Sequence, residues 1–297
     1  MKTLSVRMKL IVSCVGLALG LALAAETNVA PDPRTRAEVD AILKKAPAPI
    51  PEDKLKPLNV LLLAGKKDHG VGEHDYPLWQ KNWTPLMKKL PRVTVDTAFN
   101  WPTPEQIKAA DLMVCFLHPT DDQKVCWNDA MLKDVDSILE RGGGVVLIHW
   151  AIGPTKEQVD KFGERFGLVY TAAGYRHGPI ELKLNTEHPI TRGFPATLSF
   201  VDETYFPIIG DRTESTVLAT ADEFPKKDAP AKETYPQVWA KQHAKGRVFC
   251  MIPGHYNWSF NDPLFRLLLL RGMAWAAGEP EQRFDGLAVE GVEFRKE

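Results

Sequence analysis

Eight histidines stand in this 297-residue sequence, and four of them follow closely on apolar runs: His69 after VLLLAGKKD, His118 after LMVCFL, His149 after VVLI and His255 after VFCMIPG. Neutral imidazole is a zinc ligand and also the side chain best placed to move protons near pH 7. A carboxylate able to complete such a set occurs in Asp202-Glu203, and further polar groups occur as His74 and Tyr175-Arg176-His177. The residue types therefore admit two chemistries. One is a divalent ion, zinc foremost, held by His149, His255 and Glu203; the other is acid–base catalysis by those three with His69. His177, Arg176, Tyr175 and His118 are the candidates for substrate contact, with the parts of His118 and His74 the least defined. A lone strand-end histidine is more often a hydrogen-bonded structural residue, and His188 and His243, each beside a turn, suit that role. Several histidines converging on one edge do not.

Aromatic side chains interleave with these groups. Trp101, Trp150, Tyr175 and Trp258 offer flat faces beside polar atoms, which suits a sugar ring with its apolar C–H faces and belt of hydroxyls. Trp79, Trp83 and Trp275 fall on helical patterns and are expected in the core. Other chemistries lack their motifs. The turn after Ile148 reads His-Trp-Ala-Ile-Gly, with no serine or cysteine flanked by glycines, so acyl transfer through a nucleophile elbow is not expected. There is neither GxxxxGK[ST] nor a GxGxxG after a strand, so no nucleotide cofactor is expected.

Strand ends converge only if a sheet aligns them. Residues 141–153, RGGGVVLIHWAIG, are the clearest positioning element. Glycines end one element, four apolar residues form a strand buried on both faces, and His149 stands at its carboxyl end. Upstream, strands are expected at residues 58–64, 93–99 and 112–117, alternating with helices at 78–90, 104–110 and 128–141, the last closed by Gly142. A further helix is expected at 156–166. This order implies a doubly wound, mostly parallel α/β sheet whose carboxyl edge is where ligands bind. The second half reads as strands at 180–184, 198–201, 216–219, 237–241 and 247–252, an antiparallel extension with a hairpin tip at 243–246. His255 joins the rim only if the strand at 247–252 runs parallel to the first four. Asp262 and Pro263 start a closing helix that ends at Gly278.

The amino terminus carries Lys2, Arg7 and Lys9 before an apolar run at residues 10–23 and a small-x-small site, Ala22-Leu23-Ala24. This is the form of a secretory signal cleaved near Ala24 or Ala25, and the run is shorter than the roughly 20 residues a membrane span needs. A secreted or periplasmic protein with no span in the mature chain is expected. Loss of those three basic residues takes 37 basic against 38 acidic residues, a net charge of −1, to −4. Nothing there attracts nucleic acid. Cys115, Cys126 and Cys250 would remain, an odd number without a CxxC pair, and suit buried apolar positions more than a disulfide framework. The expected divisions are a signal at 1–25, a proline-rich lead-in at 26–57, one domain at 58–279 and a charged tail at 280–297.

Taken in order, VLLLAGKKDHG, GGGVVLIHWA, EHPITRGFP, DETY, KGRVFCMIPGH and DPLFRLLLLRGMAWAAG make residues 58–278 resemble the ThuA-like (trehalose-utilisation) family. That family is similar to the class I glutamine amidotransferase-like superfamily but lacks its cysteine. The resemblance implies a flavodoxin-like core, a link to carbohydrate metabolism, oxidised (keto) sugars as ligands and a bound divalent metal. By motif it points to His69, His149, Glu203 and His255, with His177 a looser match. Where many relatives have an arginine before the first-loop histidine, this chain has Asp68. The reading is an exported protein acting on a sugar or keto-sugar, neither a Cys/Ser amidotransferase nor a hydrolase of that kind. The alternative is a carbohydrate-binding protein without turnover.

Overall fold

Runs such as LNVLLLA and LMVCF have no solvent-facing alternation, and residues of this kind are stable as strands only when both faces of the sheet are covered. The computed structural model, which describes residues 29–118 and 127–296, builds that arrangement. The expected signal segment and Cys126 lie outside the described residues. The first four alternations are β1 (Leu58–Ala64), α2 (Tyr76–Met87), β2 (Val93–Phe99), α3 (Pro104–Ala109), β3 (Leu112–Phe116), α4 (Asp129–Glu140), β4 (Gly144–Ile148) and α5 (Val159–Phe166), preceded by α1 (Arg36–Leu43). The long strands β5 (Leu168–Leu184) and β6 (Thr197–Gly210) follow, then β7 (Thr216–Glu223), β8 (Glu233–His243), β9 (Gly246–Met251) and the closing helix α6 (Pro263–Ala276).

All nine strands join one sheet in the order β2-β1-β3-β4-β9-β8-β7-β5-β6. The first five in that order are parallel, and β9 pairs with β4 in the same direction, so the condition on the 247–252 strand is met. The order 2-1-3-4 with a fifth parallel strand outside β4 is the flavodoxin-like arrangement. The remaining strands are antiparallel, as expected for the second half. Alternate residues of β1 separate into two cores: Val60, Leu62 and Ala64 pack with Tyr76, Trp79, Trp83 and α6, while Leu61 and Leu63 pack with Ile107, Leu139 and Phe162. Trp79 and Trp83 are thus core residues, and Cys115 and Cys250 are buried free thiols.

Two glycines explain the tight junction at β4. Gly142 has φ +89, the left-handed C′ conformation that ends α4, and a Cβ on Gly144 would lie 2.2 Å from the Ala276 carbonyl oxygen at the end of α6. The antiparallel strands differ from expectation in length. DETY lies within β6 rather than at a strand end, because β5 continues back to Leu168 and pairs across it, with a register shift between Tyr170 and Gly174. Residues Glu281–Val289 form a 3₁₀-helix against α6, burying Phe284, Leu287 and Ala288. Among the described residues no helix is long and apolar enough to cross a membrane.

Candidate metal centre

Three strand ends and the middle of β6 meet at the carboxyl edge of the parallel sheet, and each reaches it by a distinct local device. After β1, the loop at residues 65–75 folds back and is zipped to the segment after β9. His74 N–H donates to the His255 carbonyl at 3.0 Å, and Asn257 N–H donates to the Gly72 carbonyl at 2.8 Å. Inside the loop the Lys67 ammonium donates to the carbonyls of Asp68, His69 and Glu73 at 3.0–3.1 Å, and also to that of Gly70. After β4, His149 begins a 3₁₀-turn directly from the strand, a sharp strand-to-helix elbow with an imidazole where a nucleophile would stand. After β9, the Asp202 carboxylate accepts from the N–H groups of Gly254 at 2.9 Å and His255 at 3.0 Å, and from the Ser259 hydroxyl. Asp202 therefore shapes the turn, while its neighbour Glu203, on the opposite face of β6, enters the site.

His69, His74 and His149 all have left-handed backbones, with φ of +62, +42 and +57. Such conformations cost on the order of 1 kcal/mol or more for non-glycine residues and persist where surrounding contacts over-determine them. Here they aim the imidazoles inward. One ligand-type atom from each of His74, His149, Glu203 and His255 lies within 4.8 Å of the others, and all four residues are buried.

The hydrogen bonds fix which nitrogens face the centre. His149 Nδ1 donates to the Ile252 carbonyl at 2.8 Å, and His74 Nδ1 donates to the Asp68 carboxylate at 2.6 Å. The two Nε2 atoms, left as lone-pair sites, face each other at 2.8 Å, a contact that is repulsive unless a proton or cation lies between them. The Tyr205 hydroxyl lies 2.9 Å from the same His149 Nε2 and can donate into that single lone pair only while no ion holds it. His255 Nδ1 lies 2.8 Å from Glu203 Oε2, an ion-pair distance. Yet the approach is not along an N–H direction, and both ring nitrogens of His255 and Oε2 of Glu203 are buried without a hydrogen-bond partner. Buried polar atoms are normally paired, so Glu203 Oε2 and one nitrogen of the His255 ring, orphaned beside two opposed lone pairs, fit a set of ligand atoms for a cation.

Electrostatics agree. Burial drives the His74 imidazole down to about 3, with His149 and His255 adding to this and Asp68 opposing it, so the ring is neutral and able to ligate. Burial would raise the Glu203 carboxyl, but the adjoining imidazoles of His149 and His255 outweigh it and hold the group well below the usual carboxylate range. Burial, reinforced by the Glu203 charge, keeps the Tyr205 phenol protonated far above its ordinary range. A neutral-imidazole and carboxylate set of this kind suits zinc or a similar divalent ion.

The other sequence candidates surround this core in different ways. His69 sits on the rim with its ring 3.9 Å from that of His74. His177 Nε2 is 3.4 Å from Glu203 Oε1, and its Nδ1 is 3.2 Å from the Tyr256 hydroxyl. Burial lowers the His177 pKa. Tyr175, 58% exposed, stands at the mouth against His177, and Trp150 packs on His118 with ring centroids 4.5 Å apart. His118 Nδ1 lies 2.5 Å from Asp68 Oδ2. Trp258 is set back: it stacks on Tyr256 at 4.1 Å and donates to the Val201 carbonyl. Arg176 alternates to the opposite face of β5 from His177 and forms a bidentate pair with Glu223 at 2.7 Å. Trp101 donates to Asp134, away from the cluster.

Three residues were not singled out by sequence reasoning or stood at its margin: His74, Asp68 and Tyr205. Tyr205 had a usable signal, since it lies two residues beyond Glu203 and so shares its face of β6. Asp68 and His74 had none beyond their presence in a histidine-bearing loop, because the fold-back that turns them inward depends on contacts with residues near 255.

The profile of the ThuA family, described as trehalose utilisation, matches residues 54–276. Among solved structures, the chain is similar to a ThuA-like protein from Bacteroides uniformis ATCC 8492, with 21% identity, a TM-score of 0.61, and coverage of 80% of this chain and 98% of that one. It is likewise similar to a ThuA-like protein from Parabacteroides merdae ATCC 43184, with 21% identity, a TM-score of 0.55, and coverage of 75% and 91%. No functionally curated protein matches significantly. These likenesses show the same fold, and the profile match over three quarters of the sequence settles the kinship: the chain belongs to the ThuA family, whose description ties it to carbohydrate utilisation, on a fold consistent with the glutamine amidotransferase-like superfamily.

Proposed function

We propose that this is an exported enzyme that acts on a sugar or keto-sugar glycoside at a divalent-metal centre held by His74, His149, Glu203 and His255. The observation that carries the reading is the convergence of four buried ligand-type residues with orphaned nitrogen and oxygen atoms. A bound divalent ion supplies Lewis acidity toward a carbonyl or hydroxyl oxygen. The chain's own residues supply the rest. Tyr205 keeps its proton beside the centre, and His177, partly exposed and beside Glu203, is placed to exchange a proton with a ligand entering from the mouth. Tyr175 and Trp150 line that approach with aromatic faces suited to the apolar side of a sugar ring. His69 and His118 lie where they reach its hydroxyls. Export rests on the amino-terminal sequence, and the carbohydrate class on family membership.

The test is turnover of oxidised (keto) and unoxidised disaccharides by zinc-supplemented protein, beside its His149→Ala and His255→Ala variants. We expect activity on a keto-glycoside that falls by more than about 100-fold in both variants, ~2.7 kcal/mol of transition-state stabilisation, while circular dichroism stays unchanged. If both folded variants turn over the panel as the parent does, the centre is not the site of the chemistry. Saturable binding of a glycan with no turnover would make the protein a carbohydrate-binding module instead.

A further inference from the structure

One carboxylate stands behind the candidate centre and gathers three imidazoles, as many as Glu203 does within it. Asp68 Oδ1 accepts from His74 Nδ1 at 2.6 Å and from His69 Nδ1 at 2.9 Å, with the Tyr76 hydroxyl at 3.4 Å, while Oδ2 accepts from His118 Nδ1 at 2.5 Å. In each ring the same nitrogen, Nδ1, faces the carboxylate. An ionised carboxylate can only accept, so each of these nitrogens carries a proton whatever the charge of its ring. Free neutral histidine has no such constraint.

We infer that Asp68 is a positioning residue that sets the Nδ1–H tautomer of His69, His74 and His118 together, so that three Nε2 atoms are presented as lone-pair sites on the far side of their rings. For His74 the consequence is ligation: Nε2 faces His149 Nε2, and a carboxylate on the outer nitrogen of a ligating histidine fixes its orientation and raises its basicity. For His69 and His118 the consequence is recognition. Their side chains are 42% and 18% exposed, so a ligand can reach them, and a neutral ring committed at Nδ1 offers at Nε2 an acceptor. Such a rim takes hydroxyl donors, and with the Asp68 charge behind it disfavours carboxylates and phosphates. The neutral polyhydroxylated character of the ligand is thereby written in the loop as well as in the aromatic wall. The loop holds Asp68 in place through Lys67, which spends its donors on backbone carbonyls including that of Asp68.

The ligation half of this inference rests on the metal centre proposed above, whereas the tautomer half does not, and the experiment separates them. Imidazole ¹⁵N chemical shifts distinguish Nδ1–H, Nε2–H and doubly protonated rings. They are to be recorded on the chelated full-length protein at about two pH units above the ordinary histidine pKa of roughly 6.5, with assignment by single His→Gln variants. We expect His69, His74 and His118 as Nδ1–H tautomers in the parent and at least two of them as Nε2–H in Asp68→Asn, with Asp68→Glu restoring part of the parent pattern. Zinc affinity, measured by competition with a chromogenic chelator, is expected to fall about 10- to 100-fold in Asp68→Asn. Nε2–H rings in the parent overturn the inference, as does an unchanged pattern in a folded Asp68→Asn chain. A parent that binds no zinc removes the centre, and the spectra still decide the tautomers.

Discussion

Among the described residues, two buried clusters of charged groups are finished differently. Behind α6, Arg271 is 1% exposed and fully satisfied: Nε and Nη2 bond the two oxygens of Asp285 at 2.8–3.2 Å, and Nη1 donates to the Arg192 carbonyl at 2.6 Å. At the carboxyl edge, His74, His149, Glu203 and His255 are equally buried, yet lone pairs oppose one another and three polar atoms have no partner. A satisfied buried network ties elements together and needs nothing further. An unsatisfied one costs free energy in the empty protein and regains it when a cation or substrate group arrives. The left-handed backbones point the same way, because three of the histidines that line the edge carry them.

The largest expected effect is therefore at the satisfied cluster. Arg271→Ala leaves the Asp285 carboxylate buried without its partner, and breaking such a pair costs about 3–5 kcal/mol, on the order of 10 °C in melting temperature for a domain of this size. It should leave zinc affinity untouched. Urea unfolding and chelator competition on the same variant check both halves, and a variant that unfolds like the parent would show that the pair is idle.

How far each cluster could be read from the sequence follows from what encodes it. β1, β3 and β4 are continuous apolar runs, and their burial on both faces leaves only one kind of element that fits, so the strands and the edge they share were legible. His149, His255 and His69 came with them, because a residue just beyond a parallel strand has nowhere else to go. Glu203 was legible as part of an acid pair, but strand parity had to decide that Asp202 braces a turn and Glu203 faces the imidazoles. The stretch TAAGYRHG at residues 171–178 gave no apolar alternation, and its strand exists because β6 pairs with it. His74 and Asp68 were the least legible, since the fold-back of residues 65–75 is set by bonds to residues near 255 rather than by local pattern. Arg271–Asp285 was likewise hidden, its carboxylate lying in what composition marks as a charged tail.

Next in size is removal of an ion from the unsatisfied cluster. Binding to a preformed site stabilises by mass action alone, on the order of 3 kcal/mol when zinc is present at a few hundred times its dissociation constant. Chelation should thus lower the melting temperature by several degrees without unfolding the domain, and abolish turnover. The same shift should appear in the Arg271→Ala background, because the two clusters share no partners and their effects add. Zinc-loaded protein whose melting temperature ignores the chelator would break the contrast between the clusters.

The smallest effect, and the most diagnostic, is the dependence of ion-free stability on pH. Burial lowers the folded-state pKa of His74 to about 3, and lowers those of His177, His188 and His243. These rings ionise near roughly 6.5 when the chain is unfolded. Below that pH the unfolded chain binds protons that the folded chain refuses, so the stabilisation is fully present above about pH 6.5 and is lost as pH falls toward the folded values. Glu203 and Asp68, whose folded values are also depressed, add a loss of the same sign, but only at the lower pH where unfolded carboxylates titrate. Asp285, raised by burial against the pull of Arg271, runs the other way in that lower range. Between about pH 6.5 and 5, then, the histidines dominate, and His74 contributes up to ~1.4 kcal/mol per pH unit. Urea midpoints of chelated protein measured across this window should fall with pH. His74→Gln should flatten the fall, and Arg271→Ala should lower the midpoints at neutral pH. A stability that is level or rising on acidification would mean that His74 accepts its proton in the folded chain, and that the edge cluster is a closed ionic network like its counterpart behind α6.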